Sequence, residues 1–191
     1  MISAIVLAAG KSERMGSPKA LLPLRGKTFL SNILDAIAKS PIEDTVVVVG
    51  HHRREIEPVV PQPARVVFNP HYEQGMITSF QTGIRALRPE TSGALLFLVD
   101  HPFVESATID ALIARLAPHR IVLPVFAGRR GHPVLFAAEI LQEILALTVS
   151  QGANIVVRKD PSRVVEAPVN SPGILVDVDT PEDFQKIQSE K

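Results

Sequence analysis

The chain alternates short apolar runs with longer stretches whose apolar residues recur every three or four positions. Residues 2–9 are apolar except for Ser3, residues 45–49 are Thr followed by four Val, and residues 93–99 are strongly apolar. Unbroken runs of this length predict strands buried on both faces, as in a parallel sheet. Between the first two runs, Phe29, Leu30, Ile33, Leu34 and Ile37 keep a 3.6-residue period through residue 38, and Thr28 is placed to cap that helix. Similar patterns predict helices over 54–59, 75–87, 106–116 and 138–147, and a last one opening at Thr180-Pro181. Shorter strands are predicted over 65–68, 163–166 and 174–178. Residues 121–127 and 133–136, joined by Gly128-Arg129-Arg130-Gly131, read as a hairpin, and 153–158 fits strand or helix. The alternation of the two patterns predicts β-α-β units and an α/β sheet that is mostly parallel.

Ligands of open α/β sheets bind at the carboxyl ends of the strands. The first such end carries Gly10 and Gly16, which bracket Lys11 and Arg14, with Lys19 close behind. Glycines let backbone amides approach a ligand closely, and amides with fixed cations form a cradle for a polyphosphate. A solvated surface loop would have the same composition, but this one follows directly on the buried N-terminal strand. Two familiar phosphate loops do not fit. A P-loop needs glycine where Ile5 stands, and the dinucleotide fingerprint needs glycine at Ala8 and Glu13.

Three carboxylates stand where a metal could be held. Asp100 closes the apolar run 95–99, and a strand-end carboxylate is a hard oxygen ligand of the kind Mg²⁺ takes beside phosphates. Asp177 and Asp179 are two apart, so on a strand they face the same way. Two like charges so placed are costly unless a cation lies between them. Helix capping accounts for Thr180, and could account for Asp179, but leaves Asp177 unexplained.

Composition narrows the function. The 191 residues suit one domain, 1–191, with 46% hydrophobic residues for its core. The formal net charge is zero, so nothing drives duplex nucleic-acid binding. With no cysteine there is no disulfide, zinc-thiolate site or thiol nucleophile. No apolar run reaches the roughly 18 residues of a membrane span, and the N-terminus lacks a signal-peptide pattern. The cytoplasm is the expected compartment, with no membrane partner. The six histidines show no H-E-x-x-H spacing. His51, His52, His71 and His119 read as surface loop residues, and no G-x-S-x-G elbow supports a serine triad.

The run Ala8-Ala9-Gly10, with Ser12, Arg14-Met15-Gly16 and Lys19, resembles the signature of the molybdenum-cofactor nucleotidyltransferases. These are the molybdopterin guanylyl- and cytidylyltransferases, within the nucleotide-diphospho-sugar transferase class. Asp177-Val178-Asp179-Thr180-Pro181-Glu182-Asp183 resembles their C-terminal motif. Asn69-Pro70, Gly75-Met76 with Ser79, and Gly131-His132-Pro133-Val134 extend the resemblance over nearly the whole chain. It implies a single-domain Rossmann-like sheet flanked by helices. It also implies transfer of a nucleoside monophosphate from an NTP to the phosphate of a molybdopterin-type acceptor, with pyrophosphate released.

Carried onto this sequence, the catalytic residues are Arg14, Lys19 and Asp100. The nucleotide side comprises Leu7, Ala8, Ala9, Gly10, Lys11, Ser12, Arg14, Lys19, Asn69, Gly75 and Ser79. Asp100 and Asp179 hold Mg²⁺, with Mn²⁺ as the alternative ion, and Asp177 shares that role. His132 lies on the acceptor side. His101 is assigned there too, although relatives more often have Met or Gln between this Asp and Pro. Ala9, where guanylyl enzymes tend to have glycine, narrows the space beside the base and favours CTP over GTP. A guanylyltransferase, a sugar- or polyol-phosphate cytidylyltransferase and a non-catalytic cofactor carrier are the alternatives. A molybdenum hydroxylase apoenzyme is the implied recipient of the product.

Overall fold

The computed structural model describes residues 1–189. In chain order the regular elements are β1 (Ile2–Ala8), β2 (Pro23–Leu24), β3 (Lys27–Thr28), α1 (Phe29–Ala38), β4 (Asp44–Val49) and α2 (Arg53–Ile56). Then come β5 (Arg65–Phe68), α3 (Met76–Arg85), β6 (Gly93–Leu98), α4 (Ser106–Ile113), β7 (Ile121–Phe126) and β8 (Arg129–Arg130). The last are β9 (Val134–Ala137), α5 (Ala138–Leu145), α6 (Asn154–Lys159), β10 (Val164–Pro168) and α7 (Pro181–Ser189).

The main sheet has the order β10-β7-β9-β6-β1-β4-β5, with β8 attached to β7. β1 sits between β4 and β6, parallel to both, and β5 extends the parallel half. β9 runs antiparallel to both its neighbours, β6 and β7. Alternation along β1 divides the core. Ala4, Val6 and Ala8 pack with Leu30 and Ile33 of α1 and with Ile109 and Leu112 of α4. Ile5 and Leu7 pack with Phe80 and Ile84 of α3 and with Ile140 and Ile144 of α5. A strand covered by helices on both faces must be apolar at every position, which is why residues 2–9 read as one run.

The local signals act as expected in most places. Thr28 caps α1, its side chain accepting from the Ser31 amide. Thr180 and Asp183 cap α7 reciprocally: the Thr180 hydroxyl accepts from the Asp183 amide, and the Asp183 carboxylate accepts from the Thr180 amide. α7 lies over the β2–β3 ribbon, where Leu22, Leu24, Phe29 and Val178 form a small third core with Phe184 and Ile187.

One expectation is corrected, and two regions are sharpened. Residues 174–178 are not a strand. Pro172–Leu175 is a 3₁₀ turn, and the chain then crosses the ends of the strands without joining the sheet. It is held by isolated bonds, His132 N–H to the Ile174 carbonyl and Val178 N–H to the Asp100 carbonyl. Gly131 allows this approach, since a Cβ there would collide with the Ile174 carbonyl. Residues 121–136 form the expected antiparallel hairpin: β7 turns back onto the two residues of β8 and, after a break at residues 131–133, onto β9, which lies between β7 and β6. Residues 153–158 resolve as helix α6, with Val156 buried against the α5 side of the sheet.

Candidate functional site

The carboxyl ends of β1, β4 and β6 open onto a cavity of about 540 Å³. Its floor is the loop after β1. Ser12 adopts a left-handed backbone with φ 53°, and Gly16 one with φ 72°. These two turns wind the loop so that the Ser12 carbonyl accepts from the amides of both Met15 and Gly16, each at 3.0 Å. The Ser12 hydroxyl accepts from the Lys19 amide at 3.2 Å, which fixes where Lys19 leaves the loop. From β4, His52 Nε2 donates to the Lys11 carbonyl at 3.0 Å. Lys11 itself reaches across the opening to Glu73, with Nζ 2.8 Å from the carboxylate. Their hydrogen bond raises the Lys11 pKa and lowers that of Glu73.

Lys19 is the centre of the charged wall. Only 12% of its side chain is exposed, and its ammonium bonds Asp179 and lies 3.4 Å from Asp100 Oδ2. Arg14, 72% exposed, adds a second contact to Asp179 at 3.0 Å. The hydrogen bond from Lys19 holds the Asp179 carboxyl below its usual range, with the charges of Lys19 and Arg14 acting in the same direction. Asp177 shifts the other way. Burial raises its pKa first, and the nearby charges of Asp100 and Asp179 raise it further.

Behind Asp100 stand two imidazoles. The rings of His101 and His132 stand 4.8 Å apart and are tilted by 44°. Burial, reinforced by His101, depresses the His132 pKa to about 4, so its ring is neutral at pH 7. Asp100 Oδ1, His101 Nδ1 and His132 Nδ1 are buried without a hydrogen-bond partner. Buried polar atoms are seldom left unpaired, so three together mark a place where a ligand would complete the bonding.

Of the residues assigned from the sequence, Leu7, Ala8, Ala9, Gly10, Lys11, Ser12, Arg14, Lys19, Ser79, Asp100 and Asp179 line this cavity. Asn69 does not. It is buried beneath the wall, donating to the hydroxyls of Thr78 and Ser79 at 2.9 Å each, so that it orients Ser79. Gly75 lies at a separate, smaller cavity of about 220 Å³. His101, His132 and Asp177 stand behind Asp100. His52 is not the surface residue expected: it lines the cavity together with Tyr72 and Glu73. It follows the strand that pairs with β1 and so emerges at the same end of the sheet.

A family model described as the MobA-like NTP transferase domain matches residues 4–164. The chain belongs to that family. It is accordingly a nucleotidyltransferase by class. Similar proteins include the nicotine blue oxidoreductase of Paenarthrobacter nicotinovorans, 29% identical across 97% of this chain and 96% of that protein. The molybdenum cofactor cytidylyltransferase of Escherichia coli is 28% identical across 96% of this chain and 93% of that enzyme. Among solved structures, Rv0371c of Mycobacterium tuberculosis superposes with a TM-score of 0.86 at 28% identity, covering 97% of this chain and 96% of that one. A manganese complex of Rv0371c aligns over 100% of this chain and 99% of that one with a TM-score of 0.80 at 26% identity. Within the described residues, no helix of this MobA-like chain is long and apolar enough to cross a membrane.

Proposed function

We propose that this chain transfers a nucleoside monophosphate from CTP to the phosphate of a molybdopterin-type acceptor, releasing pyrophosphate. The observation that carries the reading is the meeting of Lys19 with Asp100 and Asp179 at the mouth of the glycine-rich loop. It brings cations for a triphosphate and carboxylates for a metal into one cavity. An acceptor phosphate oxygen attacks the α-phosphorus, a new P–O bond forms, and the bond to the β-phosphate oxygen breaks with its electron pair leaving on pyrophosphate. A phosphate nucleophile is already ionised at neutral pH, so no general base is required. What the protein must supply is alignment and neutralisation of charge.

The side chains divide that work. The loop from Gly10 to Gly16 lies where backbone amides would meet the triphosphate. Lys19 and Arg14 would leave Asp179 for the β- and γ-phosphates, where they balance the charge that grows on the leaving group. The unpartnered Asp100 Oδ1 fits a divalent cation, which would be held by Asp100 with a second carboxylate from the 177–179 segment. When bound, such a cation would neutralise phosphate charge at the reacting centre. Ala9, 4% exposed, puts a methyl group in the cavity wall and supports the smaller pyrimidine base.

The test is a heat-stability panel with CTP, GTP, ATP and UTP, each with and without Mg²⁺, followed by a pyrophosphate-release assay with molybdopterin. A ligand at about 100 times its Kd adds roughly 2.7 kcal/mol. A metal-dependent rise in Tm with CTP, and release with CTP alone, are expected. A response to GTP in place of CTP would overturn the base assignment. Tight molybdopterin binding without release by any nucleotide would replace the enzyme with a carrier.

A further inference from the structure

We infer that His101 is a nitrogen ligand of this chain's divalent-metal site, beside Asp100 and Asp177, and that the site takes Mn²⁺ in preference to Mg²⁺. The inference rests on the nucleotidyltransferase reading for the metal's role and goes beyond it in naming the donor set. One potential ligand atom from each of Asp100, His101 and Asp177 lies within 4.8 Å of the other two. Two of these residues carry a buried polar atom without a partner, Asp100 Oδ1 and His101 Nδ1. Asp179, the other carboxylate of its segment, faces Lys19 and Arg14 and is not among the three clustered donors.

The three donors come from two backbone segments that are tied together. The Val178 amide donates to the Asp100 carbonyl at 3.0 Å, which sets Asp177 opposite the end of β6. The His101 amide closes a turn onto the Leu98 carbonyl at 3.0 Å, which fixes where the imidazole starts. His132 packs its ring against that of His101. Two carboxylates with an imidazole form a mixed oxygen and nitrogen set. Mg²⁺ prefers oxygen donors and keeps its waters, whereas first-row transition ions accept imidazole nitrogen readily.

The experiment uses the full chain with Mn²⁺ as the probe, read by pulsed electron paramagnetic resonance. It compares wild type, His101→Gln and wild type labelled at histidine with heavy nitrogen. Directly bound imidazole nitrogen should modulate the wild-type echo, the modulation should change on labelling, and it should vanish in His101→Gln. Titration should show His101→Gln weakening Mn²⁺ by about tenfold or more while Mg²⁺ changes by less than about threefold. Absence of histidine nitrogen modulation in the wild type, or its survival in His101→Gln, would overturn the inference. So would an equal loss of both ions. The labelled wild-type spectrum does not depend on the variant folding. Pyrophosphate release by the wild type separates the two readings. Release with nitrogen-free Mn²⁺ removes His101 from the site and leaves the transferase. Nitrogen-bound Mn²⁺ without release under any NTP keeps His101 and removes the transferase reading.

Discussion

The two ends of the central sheet carry the same kinds of charged residue and use them differently. At the amino end, Asp44 opens β4 with both carboxylate oxygens occupied. Arg65 donates to Oδ1 from Nε at 3.2 Å and from Nη2 at 2.9 Å, and to Oδ2 from Nη2 at 2.8 Å. Arg65 also donates to the Ala86 carbonyl, so the pair joins β4, β5 and the end of α3. At the carboxyl end, Asp100 leaves one oxygen without a partner, and Lys19 is shared between Asp100 and Asp179. A buried charge needs its full set of partners if its only task is to hold the fold. The first cluster is completed by the protein. The second is not, since Asp100 Oδ1 stays without a partner.

That contrast predicts which substitutions damage activity and which damage stability. The largest effect is expected for Asp100→Ala. Turnover should fall about a hundredfold or more, with Tm unchanged or slightly raised because a charge lacking part of its bonding has gone. A variant keeping more than about a tenth of the wild-type rate would take Asp100 out of the reaction. Lys19→Ala follows, with kcat/KM lower by about a hundredfold. Its removal also takes away the main cause of the low Asp179 pKa, so NMR titration should find that carboxyl moved up toward the ordinary value.

Asp44→Ala reverses the pattern. It should cost about 2 kcal/mol of stability and several degrees in Tm, while the rate per folded molecule stays the same. An equal fall in that rate would mean that the two ends of the sheet are coupled, and the contrast would be lost.

The smallest effect concerns Glu143, another carboxylate away from the cavity. The hydrogen bond from Arg163 is the first cause of its lowered pKa, and a contact from Lys159 adds to it. A lowered pKa in the folded state means that this contribution is present above the unfolded value, near 4.5, and is lost as the pH falls through the folded value. Glu143→Gln should therefore be less stable than wild type at pH 7 by up to about 1 kcal/mol. The two unfolding curves should converge in acid. Curves that stay equally far apart from pH 7 to pH 3 would show that the ion pair has no part in the difference.

Much of the fold and the loop was legible because it rests on local signals. Thr28 and its helix, the runs of β1, β4 and β6, and the paired glycines of the first loop each declare themselves within a few residues. The segment from Pro172 to Asp179 did not. Ile174, Val176 and Val178 alternate as a strand would, but the alternation only reflects one side packed inward, and no neighbouring strand offers a ladder. For that reason the sequence suggested that Asp177 and Asp179 act alike. In the structure they part company, Asp179 toward Lys19 and Asp177 toward Asp100 and His101. His52 escaped for a related reason: nothing in Gly50-His51-His52 says which strand lies beside it.

The sequence by itself determined the period of each element, the glycine and cation pattern of the first loop and the family to which the chain belongs. These follow from side-chain chemistry and from spacing within short windows. Only the tertiary structure decided which carboxylate meets which cation and which polar atoms stay unpaired. Those pairings join residues as far apart as Lys19 and Asp179, and they exist only once the strand order and the crossing of residues 172–179 bring the segments together.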